Sequence, residues 1–249
     1  MDRLALSHPG KMGDALYALP TIKHICNYYD SQCDFYTSEH CRALTKLFEY
    51  QSYIDKLIIP PEYKVEAGSP GIQPWHMPID SNLYKRVIQL GFRWPPNRPL
   101  HQFIANSVGI EIDLEIKYEF PDFETHDKPY FILAPRGETT YKDLFLEIIE
   151  KSPIDVVSIG GWGESISSST IDMTGLDMLE TLTWISKSKG FVGLASSQLA
   201  LANGFNIPKA IPHDGIHWDM RHVVRAPENY YLVNPTAEQV LEVLFGGED

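Results

Sequence analysis

Apolar residues occur along this chain in short unbroken runs, separated by stretches in which they recur every three or four positions. The run at 3–8, including Leu4 to Leu6, and those at 33–37 and 55–59 read as strands. Between them, Leu16, Leu19, Ile22 and Cys26 share one helical face, which predicts a helix over 14–28, and a second helix is expected over 39–49. Prolines at 60, 61, 70, 74, 78, 95, 96 and 99 then break the rhythm, and 60–99 reads as a long loop carrying one short helix near 81–90. Loops of that length in a compact domain are often functional. A helix near 100–108 stops at Gly109, and the acid-rich stretch 110–128 reads as a connector. The second half resumes the alternation. Strands are expected at 130–135, 155–161, 190–196 and 208–212, and helices at 140–151, 177–188 and 197–205. A last helix over 236–245 starts with Thr236 as N-cap and Gln239 three positions on, the spacing of a capping box. There is no internal repeat and no low-complexity segment.

Alternating strands and helices of this kind build parallel sheets covered by helices. The expected organisation is α/β with two Rossmann-like halves, 1–115 and 116–249, facing across a cleft. Ligands of open α/β sheets bind outside the carboxyl ends of the strands, so each strand-to-helix corner is a candidate site. Glycines at such corners also have an ordinary explanation in turn geometry.

Composition narrows the setting. The 249 residues carry 33 Asp and Glu against 21 Lys and Arg, a formal charge of −12. That balance disfavours unassisted binding to a phosphate backbone and still permits a local basic patch. Cys26, Cys33 and Cys41 have neither metal-ligand spacing nor an even count, as expected for a reducing compartment. No leader opens the sequence and no apolar stretch is long enough for a membrane span, so a cytoplasmic protein is expected.

The densest chemistry lies at "HPGKMGDALYALP" (8–20). Gly10 and Gly13 let the backbone turn sharply and approach a ligand. The free N–H groups at the helix start favour an anion, either a bound phosphate or the Asp14 carboxylate itself. His8 and Lys11 are further candidates for acceptor or phosphate contact. Neither a Walker A loop nor G-x-G-x-x-G is present, and G-x-S-x-G is absent too, so a P-loop enzyme, a dinucleotide dehydrogenase and an α/β hydrolase lack support. In "HDGIHWDMRH" (213–222), His213, Asp214 and their neighbours lack the pattern of a metal site. That segment reads as a loop over the donor sugar or base, with Trp218 as a stacking face, or as a surface loop that buries Trp218.

The run "KMGDALYALPTIK" resembles the amino-terminal signature of bacterial heptosyltransferases of glycosyltransferase family nine. "APRGETTYKDL" (134–144), "SIGGWGE" (158–164) and the stretch 172–208 are similar to that family's donor-binding segments, while 60–110 has no counterpart. The resemblance implies a compact GT-B fold and a metal-independent, inverting transfer from a nucleotide diphosphate sugar to an acceptor hydroxyl, without a cofactor. Asp14 is then the general base. Arg136 and Lys142 meet the diphosphate, and Gly161 with Glu164 meets the ribose. Ser196 and Ser197 hold a phosphate or act only as N-caps. Read without the family, Arg136 and Lys142 are equally a surface pair and Glu164 a loop acid.

The sequence departs from the family at Ala195 and Ala200, where an Asp and a His are usual. That departure leaves the sugar open and admits an alternative, a catalytically inactive nucleotide-sugar-binding protein of the same fold. The acceptor expected is a glycan, lipopolysaccharide-like or otherwise, or a hydroxylated DNA base. The chain is short for a cellular member, which fits a phage enzyme working in the host cytoplasm.

Overall fold

The computed structural model describes residues 3–61, 77–91, 98–135, 140–215 and 228–246. The chain divides into two compact units, Met1–Phe120 and Pro121–Asp249.

The amino-terminal unit is built on a parallel sheet of β1 (Leu4–His8), β2 (Cys33–Thr37), β3 (Ile54–Ile58) and β4 (Arg86–Gln89) in the order β3-β2-β1-β4. Every residue of β1 and β2 is buried, which explains why these strands read as unbroken runs rather than as alternations. α1 (Met12–Tyr28) follows β1 and lies beside α3 (Leu100–Ser107). The helix expected over 39–49 is a 3-10 segment, Glu39–Leu44, running into the short α2 (Thr45–Tyr50), where Phe48 meets Phe35 edge to face.

The helix expected near 81–90 is not formed: after a 3-10 turn at Ser81–Leu83 the chain becomes β4. Val87 and Ile88 pair with Ala5 and Leu6 of β1, and these stiff β-branched neighbours suit a pleated strand better than a helix. Of the connector, Glu119 belongs to this unit. Its carboxylate takes the Lys23 ammonium at 3.0 Å and the Ser52 N–H at 2.6 Å.

The carboxy-terminal unit has a six-stranded parallel sheet of β5 (Tyr130–Ala134), β6 (Asp155–Gly160), β7 (Ile171–Thr174), β8 (Phe191–Gly193), β9 (Lys209–His213) and β10 (Asn229–Val233). Their order is β10-β9-β8-β5-β6-β7. Two of these, β7 and β10, were not expected from the sequence. Both are outer strands among the described residues and are only partly buried, so neither carries an unbroken apolar run. α4 (Lys142–Lys151) and α7 (Ala237–Phe245) cover one face through Phe145, Ile148, Val240 and Leu244 on Phe131 and Leu133. On the other face lie α5 (Met178–Ser186) and α6 (Ser197–Ala202), where the Tyr130 hydroxyl donates to Trp184 O at 2.9 Å. The capping box of α7 forms as expected. The Thr236 hydroxyl accepts from Gln239 N and the Gln239 carboxamide accepts from Thr236 N.

Candidate functional site

In the amino-terminal sheet the chain winds from β1 through β2 to β3 and then crosses to β4 on the other side of β1. The direction of winding therefore reverses beside β1, and the corner from His8 to Asp14 leaves the carboxyl end of that strand. This is the position at which open α/β sheets take their ligands.

The corner is held from several directions. His8 is buried, and its Nδ1 accepts the Gly10 N–H at 3.1 Å. Burial pushes the His8 imidazole down to about 3, so the ring is neutral near pH 7; with Nδ1 accepting, the ring proton sits on Nε2. The Gly10 carbonyl in turn accepts from the Ser38 hydroxyl at 2.7 Å and from the Cys41 thiol at 3.6 Å. Burial raises that thiol to about 11, which keeps it protonated as a donor. The Thr37 hydroxyl donates to His8 O at 3.0 Å. A Cβ at Gly10 would lie 2.7 Å from Asp14 Oδ2 and 2.7 Å from His8 Cε1, so only glycine lets imidazole and carboxylate flank this point. At Gly13 a Cβ would meet nothing within 4 Å.

Asp14 is the third residue of α1, and its Oδ2 accepts the Lys11 N–H at 3.1 Å. It therefore satisfies one of the unpaired donors of the helix start, as an acidic residue in a first turn commonly does. Withdrawal from water raises its carboxyl above the usual range, and the Lys11 N–H and ammonium offset that only in part. A carboxylate of raised pKa is a stronger base than an exposed one. Lys11 itself is exposed.

In the carboxy-terminal sheet the winding reverses between β5 and β8. Lys142 is the exposed first residue of α4, which follows β5, and Ser196 and Ser197 follow β8. The Ser196 hydroxyl is the N-cap of α6, accepting from Leu199 N at 3.4 Å, while the Ser197 hydroxyl donates to Gln198 Oε1 at 3.2 Å. Ala200 is fully buried in α6 and Ala195 is half-buried.

After β6, Gly161 to Glu164 form a tight turn closed by the Glu164 N–H on Gly161 O at 3.2 Å. Glu164 Oε2 accepts the Gly161 N–H at 2.7 Å. A Cβ at Gly160 would fall 2.3 Å from that carboxylate oxygen. His213, expected in a loop, is the last residue of β9, because the pairing with β10 reaches as far as Val233. Its Nδ1 accepts from Gly215 N at 3.1 Å, and Asp214 lies between them. Arg136 and Trp218 lie outside the described residues.

Sequence reasoning left out the supports of the first corner, Thr37, Ser38 and Cys41, and the aromatic residue of the Glu164 turn, Trp162. A Thr-Ser pair at the end of the strand next to β1 and a Trp flanked by glycines were the available signals. Among the described residues no group of three or more His, Cys, Asp or Glu side chains is arranged to hold a metal ion, and no helix is long and apolar enough to cross a membrane.

No protein-family model and no curated protein sequence matches the chain. Solved structures do. A glycosyl transferase of family 9 from Veillonella parvula superposes with a TM-score of 0.69 at 11% identity, over 98% of this chain and 97% of that one. The Escherichia coli heptosyltransferase WaaC with ADP-2-deoxy-2-fluoro heptose gives 0.65 at 11% identity, over 98% and 99%. The iron-containing dodecameric glycosyltransferase TibC from enterotoxigenic E. coli gives 0.66 at 15% identity over 94% of this chain; here the chain spans only 65% of the other protein. The chain therefore shares its fold with family-nine glycosyltransferases, each of its two units being an α/β unit on a parallel sheet.

Proposed function

We propose that this chain is a glycosyltransferase that moves a sugar from a nucleotide diphosphate sugar to an acceptor hydroxyl, with Asp14 as general base. The observation that carries this reading is the β1–α1 corner. A carboxylate of raised pKa is held there by the Lys11 N–H beside the clamped Gly10, at a sheet position suited to ligands, in a fold that family-nine transferases share. The acceptor oxygen attacks the anomeric carbon as its proton passes to Asp14, and the bond from that carbon to the diphosphate breaks. One such displacement inverts the anomeric configuration.

The departing diphosphate gathers negative charge. Arg136 and Lys142 meet it as a planar fork and a point charge, a pairing that serves without a divalent metal. Glu164 accepts hydrogen bonds from the ribose hydroxyls; one of its oxygens is fixed by Gly161 N, which orients the rest of the carboxylate. Ser196, Ser197 and the His213–Asp214 end of β9 line the same carboxyl edge as secondary donor contacts. His8, Lys11 and Gly13 border the acceptor. The acceptor class is a glycan, lipopolysaccharide-like or otherwise, or a hydroxylated DNA base, and the setting is cytoplasmic, in a host cell if the enzyme is a phage's. The formal charge of −12 makes the glycan the better match.

Ala195 and Ala200 favour a second reading, a protein that binds nucleotide sugars without turning them over. Incubation with a panel of nucleotide sugars and candidate acceptors, with and without EDTA, separates the two by release of free nucleotide diphosphate. Acceptor-dependent release that survives EDTA is the expected result. Tight nucleotide binding with no release from any donor and acceptor pair contradicts transfer, and release abolished by EDTA contradicts the metal-free mechanism.

A further inference from the structure

Trp162 is the most exposed large apolar side chain among the described residues, 87% accessible, in a unit whose other described tryptophan, Trp184, is buried. Its position follows from the turn. Gly161 to Glu164 are closed by a backbone hydrogen bond, and Gly163 has φ +75°, the glycine-favoured third position of a type II turn. Trp162 is thereby set at the projecting second position, where a small or polar residue would serve the fold as well.

The indole is nevertheless placed. An ideal Cβ on Gly175 would fall 2.5 Å from Trp162 Cδ2 and Cε2 and 2.9 Å from Cε3, so the six-membered ring lies over the bare glycine backbone. Gly175 has φ +80°, and its N–H donates to Gly160 O at 2.9 Å, which ties the support to the end of β6. One ring face rests on this glycine and the rest of the side chain meets water, so it buries little apolar surface and contributes little to the core.

We propose that Trp162 is the platform on which the heterocycle of the donor nucleoside stacks. This rests on the reading above in which Glu164 accepts the ribose hydroxyls. Glu164 is two residues further along the same closed turn, and the group next to a ribose in a nucleotide is its base. Because every base has a π-face, the platform supports affinity without choosing among bases. Base selection then falls to the surrounding backbone groups, and a purine and a pyrimidine depend on the indole alike.

Calorimetric titration of wild type, Trp162→Ala and Trp162→Phe with ADP, UDP and ribose 5-phosphate tests this, alongside melting temperatures without ligand. Trp162→Ala is expected to bind both ADP and UDP about tenfold more weakly. Its affinity for ribose 5-phosphate, which has no base, stays at the wild-type value, and Trp162→Phe recovers most of the loss. A nucleotide-induced change in tryptophan emission seen in wild type disappears in Trp162→Phe, a readout that does not depend on the alanine variant folding. Equal affinity of wild type and Trp162→Ala for ADP and UDP overturns the platform while leaving the nucleotide site standing. A loss for ribose 5-phosphate as large as that for ADP also overturns it, by assigning Trp162 to the sugar or to the fold. Wild-type protein that binds neither ADP nor UDP overturns the nucleotide reading itself, and the platform with it.

Discussion

Gly10 and Gly13 sit three positions apart in one motif and have different reasons to be glycine. At Gly10 a methyl group would collide with Asp14 and His8, whereas at Gly13 it would stand in open space. Gly10→Ala is therefore expected to destabilise the protein by about 1–3 kcal/mol, through overpacking of a clamped corner, in a denaturant titration. Gly13→Ala removes the entropy cost of a helical glycine and is expected to gain up to about 1 kcal/mol. Its transfer rate is nonetheless expected to fall, because the methyl occupies space beside the backbone that a ligand approaches. The sequence showed two glycines and an acid at a strand-to-helix corner. It did not show that the corner is held by Thr37, Ser38 and Cys41, because those partners come from the end of β2 and the 3-10 segment after it, about thirty positions away.

At the scale of elements, legibility followed burial except at β3, which is partly exposed and yet carries enough apolar residues to be read. β1, β2 and β5 are buried along their whole length and read correctly from apolar runs. β4, β7 and β10 are partly exposed and depend on pairing with a distant strand, which local pattern does not report. The start of β9 illustrates another non-local arrangement. Lys209 is fully buried there, with Nζ donating at 2.8 Å to both Phe205 O and Ile207 O of the turn after α6. Replacing it with Met leaves two carbonyls without these donors and is expected to cost about 1–3 kcal/mol at pH 7. Desolvation lowers the Lys209 pKa to about 8, the Glu228 carboxylate opposing it, whereas the unfolded chain titrates near about 10.4. Between these values the unfolded state binds more protons, so this residue's contribution to wild-type stability rises with pH. The deficit of Lys209→Met, followed by urea titration, should accordingly widen from pH 8 to pH 10.

Taken as a whole molecule, the chain shares its fold with family-nine transferases at 11–15% identity, without matching any family model. Such distance is expected of a fold fixed by buried strands and helix faces that many apolar residues can fill. The corner that carries Asp14 was legible because one motif sits on it. The turn that projects Trp162 was not, because it depends on backbone conformation, and the alanines at 195 and 200 carry no chemical signal.

The raised Asp14 pKa has a consequence in pH. With Asp14 as the proposed base, transfer should fall on acidification through a group titrating above the ordinary value of a carboxylate. The ionised carboxylate also opposes folding, since a pKa raised in the folded state favours the protonated form. Stability is thus gained on acidification, and a neutral isostere should melt no lower than wild type near pH 7. The most direct measurement is single-turnover transfer by Asp14→Asn beside wild type, with ADP and UDP affinity and melting temperature determined on the same preparations. A loss of at least about a hundredfold in transfer is expected, with nucleotide affinity and melting temperature retained. Transfer by Asp14→Asn at the wild-type rate would contradict Asp14 as general base.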